Sequence, residues 1–225
     1  DCGTGILVTN STNSNRVVEI GGDGGHEKNT FTNVNKGIYA YNVCKDCSLF
    51  VSSNVFTNSD YIYTGFSNFY NTAISVQNPI SFSRVTPLVV EIKGNIITDY
   101  RIGIHGENIP NMKIIPDANA IPNRINFNLG VSPVLADEHI GIFLQNCHSA
   151  FIKGDFNPAA TLNIANIKNN SIATGTILIK GIDITTSRNC RINCNFIENL
   201  PLSMRFFDNC NGTILRQNNI TEYDV

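Results

Sequence analysis

Chemically capable side chains recur at matching positions in six short segments of this chain. Each segment opens with a small residue and an aliphatic one and then alternates; they are residues 37–42, 73–78, 103–108, 141–146, 181–186 and 203–208. Aligned, they give two outward columns: Tyr39, Ser75, His105, Phe143, Asp183 and Arg205, and Tyr41, Gln77, Glu107, Gln145, Thr185 and Phe207. Carboxylate and imidazole groups can transfer protons, and guanidinium groups can bind anions.

The candidates for acid–base chemistry in these columns are Glu107, Asp183, His105 and Arg205. Hydrolysis of a glycosidic bond needs two carboxylates, about 5–5.5 Å apart for retention or about 6.5–9.5 Å for inversion. Glu107 and Asp183 lie two copies apart, which is about 9.6 Å at a strand spacing of about 4.8 Å. This separation is marginal, so the pattern does not favour catalysis.

The aromatic and amide members of the columns suggest a binding surface instead. Tyr39, Tyr41, Phe143 and Gln145 are the candidate ligand contacts, because rings stack on sugar faces and amides bond hydroxyl groups. The bland alternative is that Tyr, Phe and Gln simply fill outward strand positions, where aromatic residues are favoured.

A second repeated element shows what must position these side chains. Asparagine, one residue and an apolar residue recur from Asn29, Asn54, Asn95, Asn170, Asn195 and Asn218. The steps of 25, 41, 75, 25 and 23 residues indicate a basic coil of 23 to 25 residues, with longer coils or a missed copy between. Short alternating runs predict strands, and no 3.6-residue stripe predicts a helix.

Strands that return in the same order predict a parallel β-helix. The expected fold class is all-β: a single-stranded right-handed parallel β-helix, a solenoid of seven to nine coils, forming one domain over residues 1–225. Antiparallel folds are disfavoured because Asn211-Gly212 is the only Asn-Gly hairpin signal. Two loop excursions are expected, near 59–72 and 109–138, the second with Pro110, Pro116, Pro122 and Pro133.

Stacking of coils explains the composition, which includes 33 asparagines against 16 lysines and arginines. Inward isoleucines should stack about 4.8 Å apart. Asn42, Asn78, Asn108 and Asn146 should form an amide ladder at one strand end. Cys44, Cys147, Cys190 and Cys210 should form a column of small residues in the next turn.

Composition argues against several functions. A net charge of -2 gives no basic surface for nucleic acid, and no apolar run suggests membrane insertion. The seven cysteines lack histidines at zinc spacing, so we expect buried thiols with one disulfide and no metal. No cofactor is expected. Calcium binding needs a cluster of acidic side chains, which the sequence does not contain, and the Asp137-Glu138 pair is interpreted as a solvated turn.

The repeat pattern over about residues 19–221 resembles the right-handed parallel β-helices of the pectate-lyase-like superfamily, above all the parallel β-helix repeat modules of secreted bacterial proteins. The resemblance implies a polysaccharide lyase or glycoside hydrolase as the alternative function. However, the family's Asp-Asp, Gly-His-Gly and Arg-Ile-Lys motifs are absent; residues 103–106 and 191–193 only echo the last two.

Residues 207–213 resemble repeats of very large surface proteins of Bacteroidetes-type bacteria, many exported by the type IX system. We therefore expect a piece of a larger secreted or cell-surface chain, with a structural or adhesive role and a polysaccharide or cell-surface glycan as partner.

Overall fold

The protein folds into three parallel β-sheets of seven strands each, in a computed structural model that describes residues 3–9, 16–22, 28–43, 47–58, 71–79, 89–128, 138–154, 167–169 and 179–221. Every third strand joins the same sheet, so the chain makes seven coils of three strands. The predicted parallel β-helix is thereby confirmed.

The strands are numbered β1 to β21 along the chain. Sheet A contains β1 (Thr4–Thr9), β4 (Lys36–Tyr41), β7 (Thr72–Gln77), β10 (Ile102–Glu107), β13 (His139–Gln145), β16 (Ile179–Thr185) and β19 (Leu202–Phe207). Sheet B contains β2 (Arg16–Ile20), β5 (Cys47–Ser52), β8 (Val89–Lys93), β11 (Lys113–Ile115), β14 (Phe151–Lys153), β17 (Arg191–Asn193) and β20 (Ile214–Arg216). Sheet C contains β3 (Thr30–Thr32), β6 (Val55–Thr57), β9 (Ile96–Thr98), β12 (Arg124–Phe127), β15 (Ile167–Asn169), β18 (Phe196–Glu198) and β21 (Asn219–Thr221).

The predicted excursion over 109–138 is wrong for much of its length. Strands β11 and β12 lie within it and pair with their neighbours in sheets B and C. The copy that begins at Asn123 was missed. The copy placed at Asn170 is wrong, because the sheet C strand of that coil is β15, whose Ile167 pairs with Ile125 and Ile197; Asn170 itself lies outside the described residues. Pro116 and Pro122 flank the turn between β11 and β12, where a missing amide costs no ladder hydrogen bond. Residues 129–137 lie outside the described residues, as do 59–70 of the other predicted excursion.

The core is a stack of aliphatic side chains from all three sheets, as predicted. Ile38, Ile74, Ile104, Ile142 and Ile182 pair in register along sheet A and are buried. Burying one such side chain stabilises the fold by roughly 1.5–3 kcal/mol. In the seventh coil, Phe206, Leu215 and Ile220 extend the inward rows of Ile184, Ile192 and Ile197 but are exposed.

An asparagine ladder runs between sheets B and C, at the Asn-x-apolar positions of the sequence. Asn54 donates its backbone N–H and its Nδ2 to Oδ1 of Asn95, at 3.0 and 3.1 Å. Asn95 donates the same pair to Oδ1 of Asn123, at 3.0 Å each. Asn195 and Asn218 repeat the pattern further along. Each Nδ2 also donates to a carbonyl of the preceding coil, such as that of Val51 for Asn95.

The ladder predicted at Asn42, Asn78, Asn108 and Asn146 is therefore largely misplaced. One amide bond joins Asn146 Nδ2 to Asn108 Oδ1 at 3.1 Å, but Asn108 Nδ2 donates to the carbonyl of Asn78. Asn42, Asn108 and Asn146 have φ values of 60°, 56° and 54°. Asparagine tolerates this left-handed conformation, so turn geometry is the main reason for it here.

Replacing Asn95 with alanine should lower the free energy of unfolding by about 3 kcal/mol or more, because two buried donors of Asn54 and the carbonyl of Val51 lose their partner. Denaturant unfolding measures the loss. Asn119→Ala, at an exposed position, is the matched control and should change stability by less than about 0.5 kcal/mol. Equal losses in the two variants would contradict the role of the ladder.

Candidate functional site

The outward face of sheet A carries the two predicted columns in register. His105 pairs with Ser75 and Phe143, and Asp183 pairs with Phe143 and Arg205. We call this row, from Tyr39 to Arg205, the middle column. Tyr41, Gln77, Glu107, Gln145, Thr185 and Phe207 pair likewise and form the rim column. The predicted alignment is confirmed.

A third outward row was missed by the sequence reasoning. Its members precede the small residue of each segment: Lys36, Thr72, Ile102, Ile140, Lys180 and Leu202. We call it the base column. The small residue of each segment has no partner in the strand register, because its Cα faces the interior. A Cβ on Gly37, for example, would lie 2.5 Å from Cδ1 of Phe56. Strict alternation therefore breaks there, and the residue before it faces outward.

Exposure increases across the face from the base column to the rim column. Ser75, His105 and Asp183 of the middle column are buried, with exposed fractions of 2%, 1% and 0%. Every member of the rim column is at least partly exposed, and its ends Tyr41 and Phe207 are exposed by 41% and 60%. The rim column, the two ends of the middle column and the partly exposed Phe143 can meet a large ligand, whereas Ser75, His105 and Asp183 cannot.

Asp183 is the centre of a charged cluster. Arg205 donates Nε and Nη2 to its two oxygens at 2.9 and 2.6 Å, and this hydrogen bonding raises the pKa of Arg205. Lys180 Nζ, 1% exposed, lies 3.3 Å from Oδ2 of Asp183 and also contacts Oε1 of Glu138. Arg101 Nε donates to the backbone carbonyl of Glu138 at 3.2 Å. Glu138, expected in a solvated turn, instead pairs with a buried lysine.

A small cavity of about 130 Å³ opens beside this cluster. Arg101, Glu138, Asp183 and Arg205 line it, together with the ring of Phe143 and two isoleucines of the base column. The lining combines an aromatic face with guanidinium and carboxylate groups. It can accommodate a small polar group that approaches along the sheet.

His105 is held in its neutral form by its neighbours. Tyr39 Oη donates to Oε1 of Gln77 at 3.2 Å, which orients Nε2 of Gln77 to donate to Nδ1 of His105 at 2.8 Å. The imidazole proton then resides on Nε2. The ring stacks on Phe143, with centroids 5.1 Å apart. Burial, together with a smaller effect of the positive charge of Lys36, lowers the pKa of His105 to about 4.

The register separates the two predicted catalytic carboxylates. Glu107 and Asp183 are two coils apart, about 9.6 Å, and two residues apart along the strand direction, so their Cα atoms are about 12 Å apart. Burial raises the pKa of Glu107, while both oxygens of Asp183 are occupied by Arg205. Catalysis by Glu107, Asp183, His105 and Arg205 stays a prediction to which this geometry adds no support.

The predicted ligand contacts occupy two places on the face. Tyr39 and Tyr41 form a tilted pair with centroids 6.0 Å apart, and Lys36 Nζ lies 4.0 Å from the centre of the Tyr39 ring. Burial raises the pKa of Tyr39, helped by Tyr41 and Glu107. Phe143 and Gln145 lie three coils further along and are partly exposed, and Phe143 lines the cavity.

The cysteines form part of the scaffold. Cys147 and Cys190 are buried and free in the turn between sheets A and B, and Cys190 Sγ donates to the carbonyl of Cys147 at 3.5 Å. Burial raises the pKa of Cys147 to about 12 and also raises that of Cys190, so both stay as thiols. Cys210 lies close to them, as predicted; Cys44 lies outside the described residues. Cys47 takes part in a disulfide bond.

Metal-binding and membrane-spanning features were sought in the same part of the chain. Among its described residues, no group of three or more His, Cys, Asp and Glu side chains could hold a metal ion. In that same part, no helix is long and apolar enough to span a membrane. Compared with models of known protein families, with curated proteins and with solved structures, the chain matched none.

The stability of the fold should fall as the pH is lowered from about 6.5 to about 4. His105 binds its proton near pH 6.5 when unfolded but near pH 4 when folded, so acid favours the unfolded chain by up to roughly 3 kcal/mol. Unfolding free energies measured across this range test it. His105→Phe keeps a ring on Phe143 and should flatten the slope; an unchanged slope would contradict the assignment.

Proposed function

We propose that this protein is an extracellular or cell-surface β-helix module with a structural and adhesive role, which binds a linear glycan along the rim column of sheet A. The observation that carries the proposal is the rim column itself. It presents amide, carboxylate and hydroxyl groups in a partly exposed row that runs from Tyr41 to Phe207 and continues in register to Thr9 of β1. The row spans five coil steps, or about 24 Å.

The spacing of the row suits a repeating polymer. Side chains recur about every 4.8 Å because the strands are hydrogen-bonded in register. Gln77, Glu107, Gln145 and Thr185 can donate or accept hydrogen bonds with successive hydroxyl groups, and Tyr41 can stack on a ring. A regular ladder of this kind favours an extended ligand over a compact one.

The disulfide at Cys47 supports an extracellular location, because disulfides persist in oxidising compartments. The free thiols of Cys147 and Cys190 do not oppose this, because both are buried and their raised pKa values make them unreactive. Cys194 and Cys210 are also free and are partly exposed. Membership of the pectate-lyase-like superfamily, a Bacteroidetes-like parent protein and type IX export form the finer part of the proposal, and they rest on the sequence resemblance alone.

A screen of the purified chain against arrayed glycans and soluble polysaccharides, with and without calcium, tests the proposal. We expect binding of a linear polysaccharide without its cleavage. Release of reducing or unsaturated ends would instead favour the lyase or hydrolase alternative, and Glu107→Gln and Asp183→Asn would then identify the groups responsible. Absence of any binding would overturn the adhesive role.

Phe143→Ala and Tyr41→Ala should each weaken binding of the glycan found in that screen about tenfold, because each removes an aromatic contact. Phe151→Ala is the matched control: Phe151 is half-buried on the outward side of sheet B in the same coil as Phe143. Calorimetric titration measures the dissociation constants. Unchanged affinity in both sheet A variants would place the site elsewhere.

A further inference from the structure

Lys180 is in an unusual position for a lysine, in contact with two carboxylates and almost completely shielded from water. Its side chain is 1% exposed, and Asp183 beside it is 0% exposed. Nζ lies 3.3 Å from Oδ2 of Asp183 and contacts Oε1 of Glu138. Burying an ammonium group costs free energy of folding, so its position between two carboxylates requires a chemical reason.

The contact with Glu138 joins different coils. Glu138 lies directly before β13, and Lys180 lies in β16, the next strand of sheet A. His139 pairs with Ile179 and Ile140 with Lys180, so Glu138 lies two residues before the register partner of Lys180, and the register fixes this diagonal placement of the two residues on adjacent strands. Arg101 Nε holds the carbonyl of Glu138 from the preceding coil, and Arg205 fixes both oxygens of Asp183.

We propose that Lys180 and Glu138 form an intramolecular isopeptide bond, and that the charge of Asp183, itself held by Arg205, keeps the Lys180 nitrogen in place. The ammonium group of Lys180 gives one proton to a carboxylate oxygen of Glu138, and the free amine attacks Cδ of Glu138. A second proton passes from the nitrogen to the same oxygen, which leaves as water. The third proton stays on the amide nitrogen.

The fold supplies what the reaction needs. Condensation of an amine with a carboxylate does not proceed usefully in water, but groups held in a fixed near-attack geometry react with effective molarities of about 10⁵–10⁸ M. Burial of Lys180 and Asp183 excludes bulk water from the nitrogen side, which disfavours hydrolysis of the amide. Glu138 is 38% exposed, so the water that is formed can leave.

The bond would lock one coil to the next independently of hydrogen bonding. It would close a loop of about forty residues whose ends already lie in adjacent strands, and so restrict the unfolded chain much as a disulfide does. A covalent staple of this kind suits a structural module. The proposed bond does not depend on glycan binding, because it involves only side chains of this chain and is tested by mass alone.

Intact mass spectrometry of the full chain, reduced and denatured, tests the bond. We expect a mass about 18 Da below that of the sequence, the loss of one water. Tryptic digestion should leave the chain uncut after Lys180 and yield one peptide pair joined through Lys180 and Glu138. The ion pair of Lys113 with Glu91, at 2.9 Å and with Lys113 45% exposed, is the internal control and should be cut normally.

Two variants separate the chemistry from the ion pairing. Lys180→Arg keeps the charge but should restore the full mass, and Asp183→Asn should do the same if it remains folded by circular dichroism. The proposal is overturned by a full-mass wild-type protein after prolonged incubation in the folded state, or by a loss of water that maps to other residues.

Discussion

The in-register asparagine ladder between sheets B and C is the interaction on which the rest of the structure depends. Each member uses one oxygen to accept from both the backbone and the side chain of the coil before it, as Asn95 does for Asn54. Its Nδ2 meanwhile returns to a carbonyl of that earlier coil, such as that of Val51. The pattern is satisfied only when asparagines stack one strand spacing apart, so a slip of one residue would leave buried amides unpaired.

Fixed register has a direct chemical consequence on sheet A. Side chains far apart in sequence meet because a whole coil separates them: Asp183 and Arg205 are 22 residues apart and form a bidentate pair. The coils differ in length, yet the pairing of β13 with β16 and of β16 with β19 is unchanged. Extra residues are absorbed between strands, and the columns keep their alignment. The column and the coil in which a side chain lies therefore determine which other side chains it contacts on this face.

The sequence predicted the fold and the columns because both depend on short-range alternation and on a repeat that survives insertions. It misplaced the ladder because Asn108 and Asn146 also recur at a strand end, and composition cannot distinguish an asparagine that turns the backbone from one that bonds its neighbour. It missed the base column, including Lys180, since an inward glycine interrupts the alternation there. The sequence also did not predict the burial of His105 and Asp183. Outward strand positions are normally exposed, and whether other parts of the chain cover them depends on tertiary packing.

The distribution of burial decides where this face can act on other molecules and where it can act only on itself. His105 and Asp183 have the groups that catalysis uses, but His105 accepts from Gln77 and Asp183 is saturated by Arg205 and Lys180. A large substrate cannot reach the imidazole of His105 or the carboxylate of Asp183. The imidazole therefore stays neutral and the carboxylate stays in its ion pairs. The rim column has the opposite character: its groups are ordinary hydrogen-bonding partners, but they are exposed and regularly spaced. The proposed recognition at the rim and the ion pairs beneath it thus depend on the same stacked register.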